Sequence, residues 1–190
     1  MYLFFDTETT GLPLRWNAPV SDLSNWPRAV QIAWAECSPT GAVLKERSFL
    51  IRPDGYSIPK EATRIHGITT ARAKREGVPL LDVLKEFVAS VATASTVVAH
   101  NLAFDESVVA AECLRQAVPY CFDRLQRVCT MKASTEYCRI PGPHGCKWPT
   151  LEELHQVLFA EAAENAHDAA SDVRACVRCY FELKRRRVIR

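Results

Sequence analysis

Two carboxylates stand two residues apart near the start of the chain, Asp6 and Glu8 in Asp-Thr-Glu-Thr-Thr-Gly. They close an apolar run, Tyr2-Leu-Phe-Phe5, that reads as a central strand buried on both faces. The strand period of two puts both side chains on one face. Like charges held that close repel, and each is costly to ionise in apolar surroundings unless a cation sits between them. The spacing therefore points to a divalent metal held by oxygen, although an Asp-x-Glu pair by itself is common by chance. A third carboxylate, Asp105, follows the apolar Val97-Val-Ala in His100-Asn-Leu-Ala-Phe-Asp105, where a strand ends and a helix opens. In open α/β sheets ligands bind outside the carboxyl ends of strands, where Asp6 and Asp105 both fall; the alternative for Asp105 is a first-turn acid favoured by the helix dipole. Finally, His167-Asp-Ala-Ala-Ser-Asp172 sets Asp172 in the first turns of a final helix and His167 at or just before its start. A ligand beside a proton acceptor competes there with a capped helix and an incidental histidine.

In this order and spacing the three segments resemble the DEDD exonuclease superfamily in its histidine-bearing branch, DEDDh, typified by DnaQ-like proofreading domains of bacterial DNA polymerase III. Arg28-Ala-Val-Gln-Ile-Ala, Arg64-Ile-His-Gly-Ile-Thr and Lys147-Trp-Pro-Thr-Leu-Glu-Glu-Leu extend the resemblance over nearly the whole chain. It implies a ribonuclease H-like fold and a 3′→5′ exonuclease that releases nucleoside 5′-monophosphates. By similarity Asp6 bridges two divalent cations, Mg²⁺ or Mn²⁺; Glu8 and Asp172 complete the first, and Asp105 holds the second through water. His167 is then the general base for the attacking water. The residues after the first motif, Thr9, Thr10 and Leu12, are placed at the 3′ end, with Leu12 as an apolar wedge. Asn101 orients the Asp105 segment, and His66 either approaches the terminal nucleotide or caps a turn.

The chain also departs from that pattern. The stretch from Pro13 to Pro27 is long, and its Trp16 and Trp26 either stack on an unpaired base or close a hydrophobic corner. Cys129-Thr130 stands where many relatives have Asp-Thr. No separate segment for docking on a polymerase is evident, which favours a free-standing enzyme; a homodimer is an expectation of the family only. Single-stranded DNA is the favoured substrate. An RNA-trimming exonuclease of the same branch is the alternative, since nothing in the motifs reads the 2′ position. A binding module that had lost turnover would be expected to lack at least one of the five residues, and none is missing.

The elements that must position these residues are legible in the periodicity. Strands are predicted at 2–5, Ala29–Ala35 and Val43–Ile51, the last two joined at Gly41. Short and long helices follow from Pro59 and Pro79, then a strand at Thr96–Ala99, a helix from about Ala103 to Gln116, a strand around Val128, and helices near 131–138, 150–159 and 168–186. A meander followed by strand–helix alternation implies an α/β fold with a mixed five-stranded sheet flanked by helices, and 190 residues suit one domain, 1–190.

A net charge of +2 excludes a binder that relies on an overwhelming positive field. The opening residues are too short an apolar run for a leader or membrane span, and eight cysteines without an export signal read as reduced thiols in the cytoplasm rather than a disulfide framework or zinc site. The Lys184-Arg-Arg-Arg187 run is expected to be a solvated helix end.

Overall fold

The computed structural model describes residues 1–120, 122–143, 145–161 and 168–189. The opening apolar run becomes β1, Tyr2–Thr9, which runs past Phe5 and takes Asp6 and Glu8 into the strand itself. β2 (Ala29–Cys37) pairs antiparallel with β1, and β3 (Val43–Leu50) antiparallel with β2. β4 (Thr96–Ala99) and β5 (Gln126–Cys129) continue the sheet in parallel on the other side. The order is β3-β2-β1-β4-β5, so the strand with the paired acids is central, as expected for a mixed ribonuclease H-like sheet.

Among the described residues seven helices flank it. They are α1 (Lys60–His66), α2 (Thr70–Glu76), α3 (Leu80–Thr93), α4 (Leu102–Arg115), α5 (Thr130–Cys138), α6 (Leu151–Phe159) and α7 (Ala169–Arg185). The alternation along β1 sorts them into two layers. Leu3 and Phe5 pack with Phe87 of α3 and Val108 and Val109 of α4 on one face. Phe4 packs with Ala170, Val173, Val177 and Tyr180 of α7 on the other.

Two features were not predicted. α2 follows α1 after three residues, and its polar sequence shows little periodicity; Thr69 caps it by accepting from the Arg72 amide. Within the loop from Arg139 to Pro149, Pro141–Gly142 (β6) and Gly145–Cys146 (β7) form a minimal hairpin.

The stretch from Pro13 to Pro27 splits between its two readings. Trp26 is buried and donates its indole N–H to the Pro19 carbonyl at 3.2 Å, closing a corner. Trp16 stays 59% exposed. The corner is fastened to α4 by Arg115, which donates to the Leu23 and Trp26 carbonyls at 2.7 and 2.8 Å. Fully buried Glu112, one turn earlier, accepts from the Arg28 guanidinium and the Ala29 amide at 3.0 and 2.8 Å.

Arg185, Arg186 and Arg187 are exposed, as expected of a solvated helix end, and some of the cations of this run also find partners. Lys184 donates to the Tyr2 hydroxyl at 2.8 Å, Arg185 and Arg186 both pair with Glu182, and Arg186 also reaches the Leu158 carbonyl. Two of its cations, Lys184 and Arg186, thereby also moor α7 to β1 and α6, while the run as a whole sits where the helix dipole favours positive charge. The described cysteines are free thiols, and no helix among the described residues is long and apolar enough to cross a membrane.

Candidate active site

At the carboxyl end of β1, Asp6 and Glu8 project toward α7, the side Phe4 occupies earlier in the strand. Asp172, in the first turn of α7, meets them there: one carboxylate oxygen from each of the three residues lies within 4.8 Å of the others. Desolvation, then repulsion from Asp105, Asp172 and Glu8, holds the Asp6 carboxyl well above the ordinary range. Desolvation followed by Asp172 and Asp105 pushes Glu8 up to about 7. Three hard oxygen donors so close, each raising the others' cost of ionisation, fit a divalent cation, which relieves that cost as protons do at lower pH.

Asp105 arrives from the opposite layer. It sits in the first turn of α4, 3% exposed, and its carboxylate accepts from the Thr7 amide at 3.0 Å and the Thr7 hydroxyl at 2.7 Å. Thr7 faces α4 because it alternates with Asp6 and Glu8. The middle residue of Asp-Thr-Glu therefore secures the fourth carboxylate while its neighbours form the cluster. Desolvation raises Asp105 to about 7 against the lowering effect of those two bonds.

α7 is set in register by Gln31, which sequence reasoning passed over. Lying opposite Glu8 on β2, it donates from Nε2 to the Asp168 carboxylate at 2.9 Å and accepts from the Ala169 amide at 3.3 Å. Asp168 in turn caps the helix by accepting from the Ser171 amide, and adds its charge to the field at Asp6 and Glu8. A lone amide inside the apolar Ala-Val-Gln-Ile-Ala run was the available signal, since a buried polar side chain needs a partner. His167, directly before this cap, lies outside the described residues.

The other predicted residues fall around this edge. Thr9 folds back on Gly11, its hydroxyl donating to the Gly11 carbonyl at 2.6 Å, and the Thr10 hydroxyl accepts from the Arg28 amide. Leu12 is 70% exposed. His66 ends α1 rather than lying in a loop, and its Nδ1 accepts from the Ile68 amide at 3.1 Å, the turn-capping arrangement. Asn101 occupies the left-handed region at φ 70°, with no side-chain cap bond to α4; its carbonyl accepts from the Phe104 amide. Neighbouring His100 is part-buried between the Thr130 hydroxyl and the Pro149 carbonyl, both at 3.0 Å. A carbonyl can only accept, so Nε2 carries the proton and Nδ1 accepts from Thr130. Desolvation lowers this histidine to about 4, which makes it a neutral brace between β4, α5 and the entry to α6. Thr130 thus has a defined partner although its predecessor is Cys129.

A mixed sheet of this order, with an acid cluster at the carboxyl edge of its central strand and helices on both faces, defines the ribonuclease H-like exonuclease class. The chain belongs to the exonuclease family RNase_T, whose family model matches residues 3–180. Solved structures with the same fold include Escherichia coli exonuclease I in complex with a dT13 oligonucleotide, at 21% identity and a TM-score of 0.77 over 98% of this chain and 41% of that one. The zinc-ion-bound form of the E. coli exonuclease I–ssDNA complex aligns at 24% identity and 0.76, over 97% and 40%. A moderately thermophilic exonuclease I from Methylocaldum szegediense aligns at 21% and 0.72, over 97% and 40%. The chain spans about two-fifths of the length of these proteins. No curated protein matches it significantly.

Proposed function

We propose that residues 1–190 act as one exonuclease domain that hydrolyses single-stranded DNA from the 3′ end, releasing nucleoside 5′-monophosphates in the cytoplasm. The observation that supports this reading best is the convergence of Asp6, Glu8 and Asp172 within 4.8 Å, with Asp105 held beside them by Thr7. The donor set suits Mg²⁺ or Mn²⁺: Asp6, Glu8 and Asp172 would hold one ion, and Asp6 and Asp105 a second. Two such ions, when bound, stabilise the attacking and leaving oxygens of an in-line displacement at phosphorus.

The chain's own groups do the rest. The clustered carboxylates would hold the cations that draw the reacting phosphodiester to the end of β1, beside the apolar side chain of Leu12 and the turn made by Thr9 and Thr10. His167, next to the Asp168 cap, takes the proton from the attacking water as its oxygen bonds to phosphorus and the bond to the leaving 3′ oxygen breaks; an ordinary imidazole pKa of about 6.5 suits that role. The oligonucleotide and single-stranded DNA in the related exonuclease I structures favour DNA over RNA.

The test is degradation of 5′-labelled single-stranded DNA and RNA of one sequence in Mn²⁺, Mg²⁺ or EDTA, beside Asp6→Ala and His167→Ala. A ladder shortening from the 3′ end, lost in EDTA and in both variants, is expected, with DNA cut faster. Strands bound but never cut would show instead a binding module of the same fold.

A further inference from the structure

The segment after β1 is organised inside out. Its polar groups are satisfied internally: the Leu14 amide donates to the Asn25 carbonyl, the Arg15 amide and carbonyl bond both ends of the Asn25 side chain at 2.7 and 3.0 Å, and Arg15 pairs with Asp22 at 2.9 Å. Asn25 and Trp26 are buried, and Arg115 of α4 holds the Leu23 and Trp26 carbonyls. Yet Leu12, Leu14 and Trp16 are 70%, 81% and 59% exposed. A segment fastened this thoroughly and still presenting three large apolar side chains is shaped for something outside the fold.

Trp16 carries the argument furthest. Its ring lies 5.9 Å from that of Phe104, tilted by 52°, and Phe104 is part-buried against the core. One side of the indole is thus supported while more than half of its surface stays open. Phe104 is the residue directly before Asp105, and Trp16 follows β1 eight residues after Glu8, so the chain ties both partners of this ring contact to the acid cluster. That tie favours a nucleobase over a protein as its occupant. Every base has an apolar π-face, and aromatic platforms bind unpaired strands with little regard to sequence.

We propose that Trp16, backed by Phe104, is a stacking platform for an unpaired base lying inward of the phosphodiester being cut. It rests on the reading above and makes the enzyme one for single strands, because a base inside a duplex has both faces covered by its stacked neighbours. A substrate with a single nucleoside has no inward base and does not use the platform.

Affinity of the full chain for a labelled single-stranded oligothymidylate is measured in EDTA, and hydrolysis of thymidine 5′-monophosphate p-nitrophenyl ester in Mn²⁺, for wild type, Trp16→Ala and Trp16→Tyr. Expected is about a tenfold loss of oligonucleotide affinity in Trp16→Ala, recovery in Trp16→Tyr, and ester hydrolysis unchanged in both. Oligonucleotide affinity unaltered by Trp16→Ala overturns the proposal and leaves the surface to a protein partner. Equal loss toward both substrates also overturns it, making Trp16 a support of the acid cluster. Should the wild type hydrolyse nothing, the exonuclease reading fails, while the binding comparison still decides the platform.

Discussion

Asp6 is the side chain on which the charges at the site converge, since Asp105, Asp172, Glu8 and Asp168 all raise its carboxyl. Asp6→Asn removes one charge from that crowd and one donor from the cation site. Hydrolysis should fall about a thousandfold or more, in line with the several kcal/mol that bound cations contribute to such transition states. The melting temperature in EDTA should rise at pH 8, because the repulsion is relieved; a fall would mean that Asp6 stabilises the metal-free fold. Gln31 makes the complementary case. Gln31→Leu roughly keeps the volume but leaves the Ala169 amide without its partner and the Asp168 carboxylate with only its Ser171 bonds, which costs about 1–3 kcal/mol. Since those bonds set the register of α7, the cation concentration needed for half-maximal activity should rise as well. Unchanged cation dependence with lowered stability would reduce Gln31 to packing.

At the scale of elements, period two along β1 and helical spacing elsewhere suffice to read the central strand, every flanking helix but α2, and the meeting of Asp6 with Glu8. Those signals come from burial, which alternation reports directly. Harder to read was anything that depends on partners distant in sequence. The role of Thr7 requires knowing that α4 covers the opposite face of β1, and that of Gln31 requires knowing which helix begins over β2. The C-terminal basic run is solvated as its composition suggests, but the partners of Lys184 and Arg186 were not legible because these acceptors, Tyr2 and Leu158, lie on other elements. Asn101 offers an element-scale test. Its φ of 70° turns the chain from β4 into α4, so Asn101→Gly should keep stability and activity, whereas Asn101→Val should cost about 1–2 kcal/mol, seen as a melting temperature several degrees lower. Activity lost in Asn101→Gly at full stability would assign the side chain itself to the substrate.

For the whole molecule the acid cluster makes stability a function of pH and of cation. Glu8 and Asp105 are both raised to about 7, chiefly by desolvation, whereas in the unfolded chain they titrate near 4. Between those values these two groups bind more protons in the folded protein than in the unfolded one, so their contribution to stability falls as pH rises from about 4 to 7 and outweighs the opposite contribution of the lowered histidine, His100. In EDTA the melting temperature should therefore decline across that window. Added Mg²⁺ or Mn²⁺ should recover it at pH 8 and have little effect at pH 4.5, where protons compete for the same oxygens. A melting temperature that rises with pH in EDTA would mean that the carboxylates are compensated by the protein itself.

The four carboxylates come from three places that only the finished fold unites: a central strand, a helix on one face of the sheet and a helix on the other. A chain with either helical layer undocked has no complete cluster. Under the proposed mechanism hydrolysis is therefore an all-or-none report of correct assembly, and copies with either layer undocked are expected to be inert toward nucleic acid.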